Sequence, residues 1–201
     1  KTQDGLLVKT HLGLDISTSC TGWSLIAVDD NQRVLNVKLG YIPLSKLKDP
    51  YDKAAAVRDS FDNLSNIAKE LDSIYIEENL QAFRPGSSSA KTLVKLARFN
   101  GVVSYISEQI FFKKPEFLNV NHARKSLGIK IQREKVCGIS TKQQVLDWVA
   151  SLDFMEGYDW PVKTLKSGPR KGQEVVDPVC YDMADALVIA LAGSKYDLNI
   201  S

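Results

Sequence analysis

Acidic residues interrupt three apolar segments that lie far apart in the sequence. Asp15 lies within the largely apolar run from His11 to Val28, Glu77 ends a short apolar stretch, and Asp182 and Asp185 lie in YDMADALVIALAG. A carboxylate is costly to move from water into apolar surroundings unless it is paired, hydrogen-bonded or bound to a metal. Hard cations such as Mg²⁺ prefer oxygen ligands. The pattern predicts a magnesium site, although Asp15 alone is equally consistent with an acid that caps a turn.

The composition is that of an ordinary globular chain. Of its 201 residues, 44% are hydrophobic and 25% are charged, and we expect one domain over residues 1–201. No apolar run reaches the roughly 18 residues of a membrane span, so no membrane partner is expected. The first residues lack the apolar core of a signal peptide, although a start at Lys leaves a removed leader open.

Three cysteines give a weak indication of compartment. Cys20, Cys137 and Cys180 are far apart and lack the close C-x-x-C pairing of a zinc site. They are typical of reduced thiols. We therefore expect an intracellular, reducing location such as the cytoplasm or nucleoid, with an organelle or a virus as open alternatives.

Positive charge is concentrated in two places although the net charge is only +2. Residues 113–142 contain eight lysines and arginines against two glutamates. Residues 163–171 add Lys163, Lys166, Arg170 and Lys171. Either cluster alone is typical of solvated surface. Because the two lie beside the predicted acidic site, together they indicate a frame that binds phosphates.

The first half of the chain reads as three strands, a helix and a buried strand. We predict a first strand carrying Asp15, a turn over residues 18–22, and strands over residues 23–28 and 34–42, forming an antiparallel meander. After a loop that extends to Asp52, a helix has an apolar stripe of Val57, Phe61, Leu64, Ala68 and Leu71. The short strand that ends at Glu77 follows it. A helix that leads into a buried strand indicates a mixed α/β sheet.

A long helix is predicted from Ser88 to Phe112. One apolar stripe faces the core, and a second apolar face consists of Ala97, Gly101, Val102 and Tyr105. We expect the second face to contact another subunit, with Gly101 permitting close approach. The alternative is a central helix covered by the C-terminal half of the chain.

The polar stretch between Glu77 and this helix carries Phe83 and Arg84. A loop beside an active-site acid is well placed to contact substrate. Phe83 is suited to stacking on a base or filling a gap between unstacked base pairs, and is equally consistent with folding back onto the core.

The last third of the chain is predicted to end on an acidic helix. A strand over 116–121 and a short helix over 122–127 precede a helix from Thr141 to about residue 152, with Ser140 as N-cap and Gln143 reaching back to it. In the final helix, capped by Asp177 with Pro178 at its first position, Asp182 and Asp185 are three residues apart and share one face. The alternative is that both acids point to water.

Five segments together resemble the RuvC-type Holliday-junction resolvases. They are LGLDISTSCTGWSLI, in which Thr21, Gly22 and Trp23 follow Asp15; then YIEENL, KLARFNGVV, a K-x-Q-V motif at Lys142, and D-x-x-D-A-L from Asp182. Their order and spacing agree over nearly the full length. The resemblance implies an α/β, ribonuclease H-like fold: a mixed five-stranded sheet, with its first three strands antiparallel, flanked by helices.

The resemblance also implies a set of site residues. Asp15, Glu77, Asp182 and Asp185 would hold Mg²⁺, for which Mn²⁺ would substitute, and Lys142 would act near the scissile phosphate. A second basic catalytic position falls near Lys125. Where the family has a stacking aromatic, this sequence has Leu80, with Phe83 three residues further on. The expected DNA-binding residues are Phe83, Arg84, Lys91, Arg124, Lys125, Lys130, Arg133, Lys166, Arg170 and Lys171.

The implied activity is that of a homodimeric, magnesium-dependent endonuclease. It would resolve four-way DNA junctions in recombination and repair by paired nicks that leave 5′-phosphates. Three alternatives stay open: a nuclease that cleaves RNA–DNA hybrids, a fragment of an actin-like phosphotransferase, and a junction-binding protein without activity. The presence of four acids argues against the last.

Overall fold

The computed structural model describes residues 2–3, 6–68, 70–78 and 89–196. The elements in chain order are β1 (Thr2–Gln3), β2 (Leu6–Ile16), β3 (Cys20–Asp29), β4 (Val34–Pro43), α1 (Pro50–Ile67), β5 (Ser73–Glu77), α2 (Ala90–Phe111), β6 (Glu116–Leu118), α3 (Val120–Ser126), α4 (Glu134–Cys137), α5 (Thr141–Ala150), β7 (Val162–Thr164), β8 (Glu174–Val176) and α6 (Val179–Tyr196).

The main sheet has the strand order β4-β3-β2-β5-β6, and the two-residue β1 pairs with β2 at the margin. Strands β2, β3 and β4 form an antiparallel meander, whereas β5 is parallel to β2 and β6 is parallel to β5. The predicted mixed five-stranded sheet with three antiparallel strands is confirmed. Strands β7 and β8 form a separate antiparallel hairpin.

Strand β2 shows how the sheet separates an apolar face from a functional one. Leu12, Leu14 and Ile16 pack into a core with α1 and α2. Because side chains alternate along a strand, Gly13 and Asp15 face the other side, where Gly13 lies against α6. A second core fills the space between that side of the sheet and α3, α5 and α6.

Several element boundaries differ from the sequence prediction in the first half of the chain. The turn after β2 is shorter than residues 18–22, because the backbone N–H of Cys20 donates to Ser17 Oγ and β3 already begins at Cys20. Helix α1 begins at Pro50, because Asp49 caps it by accepting from the N–H groups of Tyr51 and Asp52. It ends before Ala68 and Leu71, although both side chains are buried as predicted.

Boundaries in the second half also shift by a few residues. Helix α2 is capped by Ser89 and begins at Ala90, and Ser88 lies outside the described residues. Strand β6 has only three residues, since Asn119 caps α3, which begins at Val120, two residues earlier than expected. Helix α5 ends at Ala150 and α6 begins one residue after Pro178.

The predicted cap of α5 is half right. Ser140 accepts from the N–H of Gln143, but the Gln143 side chain donates to Asp147 instead of reaching back.

Among the described helices, none combines the length and hydrophobicity that a transmembrane span requires.

Candidate functional site

Two acids lie side by side where parallel strands β2 and β5 end. The register pairs Leu14 with Ile76, so that Asp15 and Glu77 occupy the next position on each strand. The buried Asn100 of α2 donates its side-chain N–H to the Glu77 carbonyl at 3.5 Å, which ties α2 to this end of β5. Parallel pairing therefore fixes the spacing of the first two acids.

Gly22 lets the last helix approach these strands. It pairs with Asp15 across β2 and β3, and a Cβ atom added to it would lie 2.1 Å from the Asp182 carbonyl oxygen. On the same strand, Ser24 Oγ donates to the Ala186 carbonyl at 2.8 Å. Close backbone packing of this kind requires glycine, and it brings Asp182 next to Asp15.

Asp182 and Asp185 both face the sheet. The side chain of Asp185 is buried, and that of Asp182 is partly buried. The alternative in which both acids point to water is wrong, because the apolar and small residues around them on α6 are packed against β2, β3 and β5.

The acids of the site are close enough for neighbouring carboxylate charges to raise the pKa values of Asp15, Glu77 and Asp182. Burial raises the pKa of Asp15 well above its usual range, and the charge of Glu77 raises it further. Burial, followed by the charge of Asp185, raises the pKa of Glu77 to about 7, while Arg124 and Lys142 oppose that rise. Burial also raises the pKa of Asp182. Full ionisation of these three acids is therefore unfavourable unless a further cation neutralises them.

Two of the acids are engaged by neighbouring side chains. Arg124 Nη2 on α3 donates to Asp185 Oδ1 at 2.9 Å, with both side chains largely buried. The Cys20 thiol hydrogen-bonds to Asp182, and burial together with that acid raises the pKa of Cys20 to about 12, so that the thiol stays protonated as a donor. As the side chains stand, no three His, Cys, Asp or Glu residues among the described parts of the chain are arranged to hold a metal ion.

The chemistry of the donor set nevertheless suits a hard divalent cation. All four groups offer carboxylate oxygens, and the ionisation of Asp15, Glu77 and Asp182 is opposed by burial and by neighbouring acids. A cation relieves both effects. The contact with Arg124 engages only Oδ1 of Asp185, which leaves its second carboxylate oxygen as a potential ligand.

Lys142 is the second cation near the acids. It lies in the first turn of α5, its side chain is exposed, and its charge lowers the pKa values of Asp15, Glu77 and Asp182. The adjacent Gln143 accepts from the Tyr181 hydroxyl at 2.8 Å, which joins α5 to α6. This contact fixes the start of α5, and hence Lys142, beside the acids.

Of the other basic residues predicted to bind DNA, Arg124 is largely buried, whereas the remaining described ones are exposed. Arg124, Lys125 and Lys130 line a pocket of about 340 Å³ after α3. Lys91 is exposed in the first turn of α2, Arg133 precedes α4, and the loop of the β7–β8 hairpin carries Lys166, Arg170 and Lys171. Phe83 and Arg84, together with Leu80, lie outside the described residues.

The second apolar face of α2 is not covered by the C-terminal half of the chain as described to residue 196. Val102 and Tyr105 are 43% and 60% exposed, and a Cβ atom added to Gly101 would meet nothing within 4 Å. Ala97 is exposed on the same face. The face is therefore free of contacts with the described residues of one copy of the chain.

Sequence reasoning missed two contacts within the site. Arg124 was expected only to bind DNA, and the second basic catalytic position was placed near Lys125, whereas Arg124 is the residue that reaches Asp185. Cys20 was taken only as a reduced thiol. One signal was available in the sequence. Gly22 lies close to Asp15 in the predicted hairpin, and a glycine at that position allows a helix to pack closely against the strands.

Compared by sequence, the chain matches no protein-family model and no curated protein. Compared by structure, it is similar to RuvC from T. thermophilus in complex with a Holliday junction substrate, with 16% identity, a TM-score of 0.59 and 95% of each chain covered. A second Thermus thermophilus RuvC structure gives 15% identity, a TM-score of 0.55 and the same coverage. This chain has the ribonuclease H-like fold.

Similarity at this level of identity defines the fold alone. The yeast mitochondrial Holliday junction resolvase Ydc2 also matches, with 12% identity, a TM-score of 0.49, and 96% and 82% of the two chains covered. In this ribonuclease H-like fold, the ends of β2 and β5 and the first half of α6 carry the four acids.

Proposed function

We propose that this protein is a divalent-metal-dependent endonuclease that resolves four-way DNA junctions. The observation that carries the proposal is the convergence of Asp15, Glu77, Asp182 and Asp185 at one end of a ribonuclease H-like sheet, where the charges of the other three acids raise the pKa of Asp15. The RuvC structure that contains a Holliday junction supports a branched-DNA substrate.

Hydrolysis of a phosphodiester explains why acids and cations share the site. A water oxygen forms a new bond to phosphorus as the bond to the 3′-oxygen breaks, which leaves a 5′-phosphate and a 3′-hydroxyl. Bound Mg²⁺, or Mn²⁺ in its place, would supply Lewis-acid stabilisation of the added negative charge. The four carboxylates would hold it.

Basic side chains of the protein would contact the phosphates of the DNA in two ways. Lys142 is exposed beside the acids and is placed to stabilise charge that develops on the scissile phosphate. Arg124, Lys125 and Lys130 line the adjoining pocket and would bind the flanking DNA backbone. Binding of DNA would therefore need only the basic residues, whereas cleavage would also need the four acids and the metal ion.

Paired nicks need two active sites, and we infer that the free face of α2 supplies the contact between two copies. Ala97, Gly101, Val102 and Tyr105 form an exposed face that combines small and large apolar groups. Exposed apolar surface of this kind is typical of protein interfaces. The chain would then act as a homodimer.

Cleavage of a labelled four-way junction with and without Mg²⁺ tests the proposal. A linear duplex and an RNA–DNA hybrid are run beside it, and we expect metal-dependent nicks in the junction only. Preferential cleavage of the hybrid would favour a ribonuclease instead, and binding without cleavage would favour a non-enzymatic junction-binding protein.

Asp15→Asn and Asp182→Asn should each lower the cleavage rate by more than a hundredfold. Substituting a residue that only supports a metal ligand already costs about 10-fold to 100-fold in activity, and these two changes remove ligands themselves. Both variants should still bind the junction in EDTA. Asp59→Asn, at an exposed position on α1, is the matched control and should cleave normally. If Asp15→Asn cleaves as fast as this control, the site is assigned wrongly.

A further inference from the structure

A second cationic groove lies between the start of α1 and the first half of α2. It has a volume of about 530 Å³ and adjoins the turn after β2. Among the described residues, four cations and no acidic residue contribute to its wall. The lining is Thr18, Lys48, Pro50, Tyr51, Lys53, Ala54, Lys95, Arg98, Phe99 and Val102, the last of which also belongs to the exposed face of α2 described above. None of these four cations belongs to the two basic clusters described above.

The charges of this groove are available to a ligand. Lys48, Lys95 and Arg98 are exposed, and none of them forms an ion pair with a carboxylate of the described residues. The nearby Asp49 is directed toward the helix start, where it accepts from two backbone N–H groups of α1. A concave surface with one sign of charge favours an extended anion.

An exposed aromatic ring stands at the rim of the groove. The Tyr51 side chain is 84% exposed in the first turn of α1, although burial of an aromatic ring is strongly favourable. Proteins that bind single strands combine a positive groove, which follows the phosphates, with aromatic rings on which unpaired bases stack. Duplex DNA offers no free base face to such a ring.

The groove is connected to the acidic site through one contact. Lys53 Nζ donates to the carbonyl of Thr18, which lies three residues after Asp15 in the turn that leads from β2 to β3. A strand in the groove would therefore pass the turn that follows the first catalytic acid.

We propose that this groove binds a nucleic-acid strand whose bases are unpaired, with its phosphates on Lys48, Lys95 and Arg98 and one base stacked on Tyr51. The inference rests on the proposed function only in taking nucleic acid as the substrate. In this assignment the groove between α1 and α2 binds the strand that becomes unpaired near a branch point. The two basic clusters described earlier bind the duplex arms.

The test is fluorescence anisotropy in EDTA with a labelled single strand, a linear duplex and a four-way junction. Lys95→Glu combined with Arg98→Glu should weaken single-strand binding and lower the slope of log affinity against log salt by about 1.4, or about 0.7 for each lost phosphate contact. The matched control is Lys38→Glu combined with Arg58→Glu, which makes the same charge change at exposed positions outside the groove and should leave the slope unaltered.

Tyr51→Ala isolates the stacking contact. It should weaken single-strand binding about tenfold and leave duplex binding unchanged, whereas Tyr51→Phe should bind normally. Phe112→Ala, at a ring that is 86% exposed and outside the groove, is the control and should have no effect. Because these side chains are exposed, circular dichroism and thermal melting should match the unmodified chain.

The possible results separate this inference from the proposed function. If both groove variants bind the single strand as tightly as the controls, with the same salt slope, the groove assignment is overturned. Equal losses on duplex and single strand overturn the assignment to unpaired bases. If the unmodified chain binds single strands through this groove but does not cleave junctions with Mg²⁺, the groove stands and the proposed function fails.

Discussion

Helices α6 and α2 are both 18 residues or longer and both pack against the sheet, yet they do so in opposite ways. Helix α6 is buried on nearly all sides between Met183 and Ser194, and it touches β-strand backbone through glycine. Helix α2 buries one stripe of larger side chains, while its Gly101 faces open space.

The difference reflects what each helix carries. Helix α6 presents Asp182 and Asp185 to two other acids, so that its position relative to β2 and β3 must be accurate, and backbone contact at Gly13 and Gly22 provides that accuracy. Under α2, by contrast, buried side chains such as Phe99 and Ile106 make the contact, and no close backbone approach depends on Gly101. Replacing glycine by a larger residue should therefore disrupt packing at Gly13 or Gly22, beside α6, but not at Gly101 on α2.

Gly22→Ala should break the α6 contact most severely. The added Cβ atom would lie 2.1 Å from the Asp182 carbonyl oxygen, so α6 or β3 must move. We expect the free energy of unfolding to fall by about 3 kcal/mol or more, as in strongly overpacked cores. Junction cleavage should fall at least as far as in Asp15→Asn. Urea unfolding and cleavage rates measure both effects, and normal values for both would show that this contact does not position the site.

The pH dependence of stability should reveal the charge around α6. Because the pKa of Glu77 in the folded chain is about 7 against an ordinary 4.5, the folded state holds a proton that the unfolded state releases. This contribution to stability is complete below about pH 4.5 and is lost as the pH rises through about 7. Unfolding in urea with EDTA should therefore show lower stability at pH 8 than at pH 5, by on the order of 3 kcal/mol.

Substitution and metal addition check that assignment. Glu77→Gln should flatten the pH profile, whereas Glu108→Gln on the exposed surface of α2 should leave it unchanged. Mg²⁺ should raise stability at pH 8 more than at pH 5, since it binds the ionised acids. A profile that is equally steep in Glu77→Gln would place the titrating group elsewhere.

Alternation and spacing made the architecture predictable, because they depend on residues close in sequence. The meander, the strand ending at Glu77 and the shared face of Asp182 and Asp185 all follow from such patterns. The partner of Asp185 did not follow, because Arg124 and Asp185 are 61 residues apart and neighbouring Lys125 is an equally plausible cation by residue type. Capping residues also moved helix ends by a few residues, as Asp49 does at the start of α1. Helix propensity alone does not predict shifts of that size.

Arg124→Gln should affect the α6 side of the sheet to an intermediate degree. It removes the cation 2.9 Å from Asp185 and leaves a largely buried carboxylate without it. We expect a loss of about 2 kcal/mol in EDTA, below the value for fully buried pairs because some solvent reaches both groups. Mg²⁺ should recover part of that loss, since the freed carboxylate becomes available as a ligand. Lys125→Gln, which changes an exposed side chain by the same charge, should do neither.

Gly101→Ala is the smallest change and the one that separates the two helices most directly. Because a Cβ atom at this position meets nothing within 4 Å, the substitution should raise monomer stability by about 0.5 to 1 kcal/mol through helix propensity. If two copies meet closely at this face, the same methyl group should weaken self-association, which sedimentation equilibrium measures over a range of concentrations. Tyr105→Glu, at the exposed ring on the same face, should weaken it further. Unchanged association in both variants would mean that the dimer, if formed, uses another surface, and that Gly101, unlike Gly22, is not required for close packing.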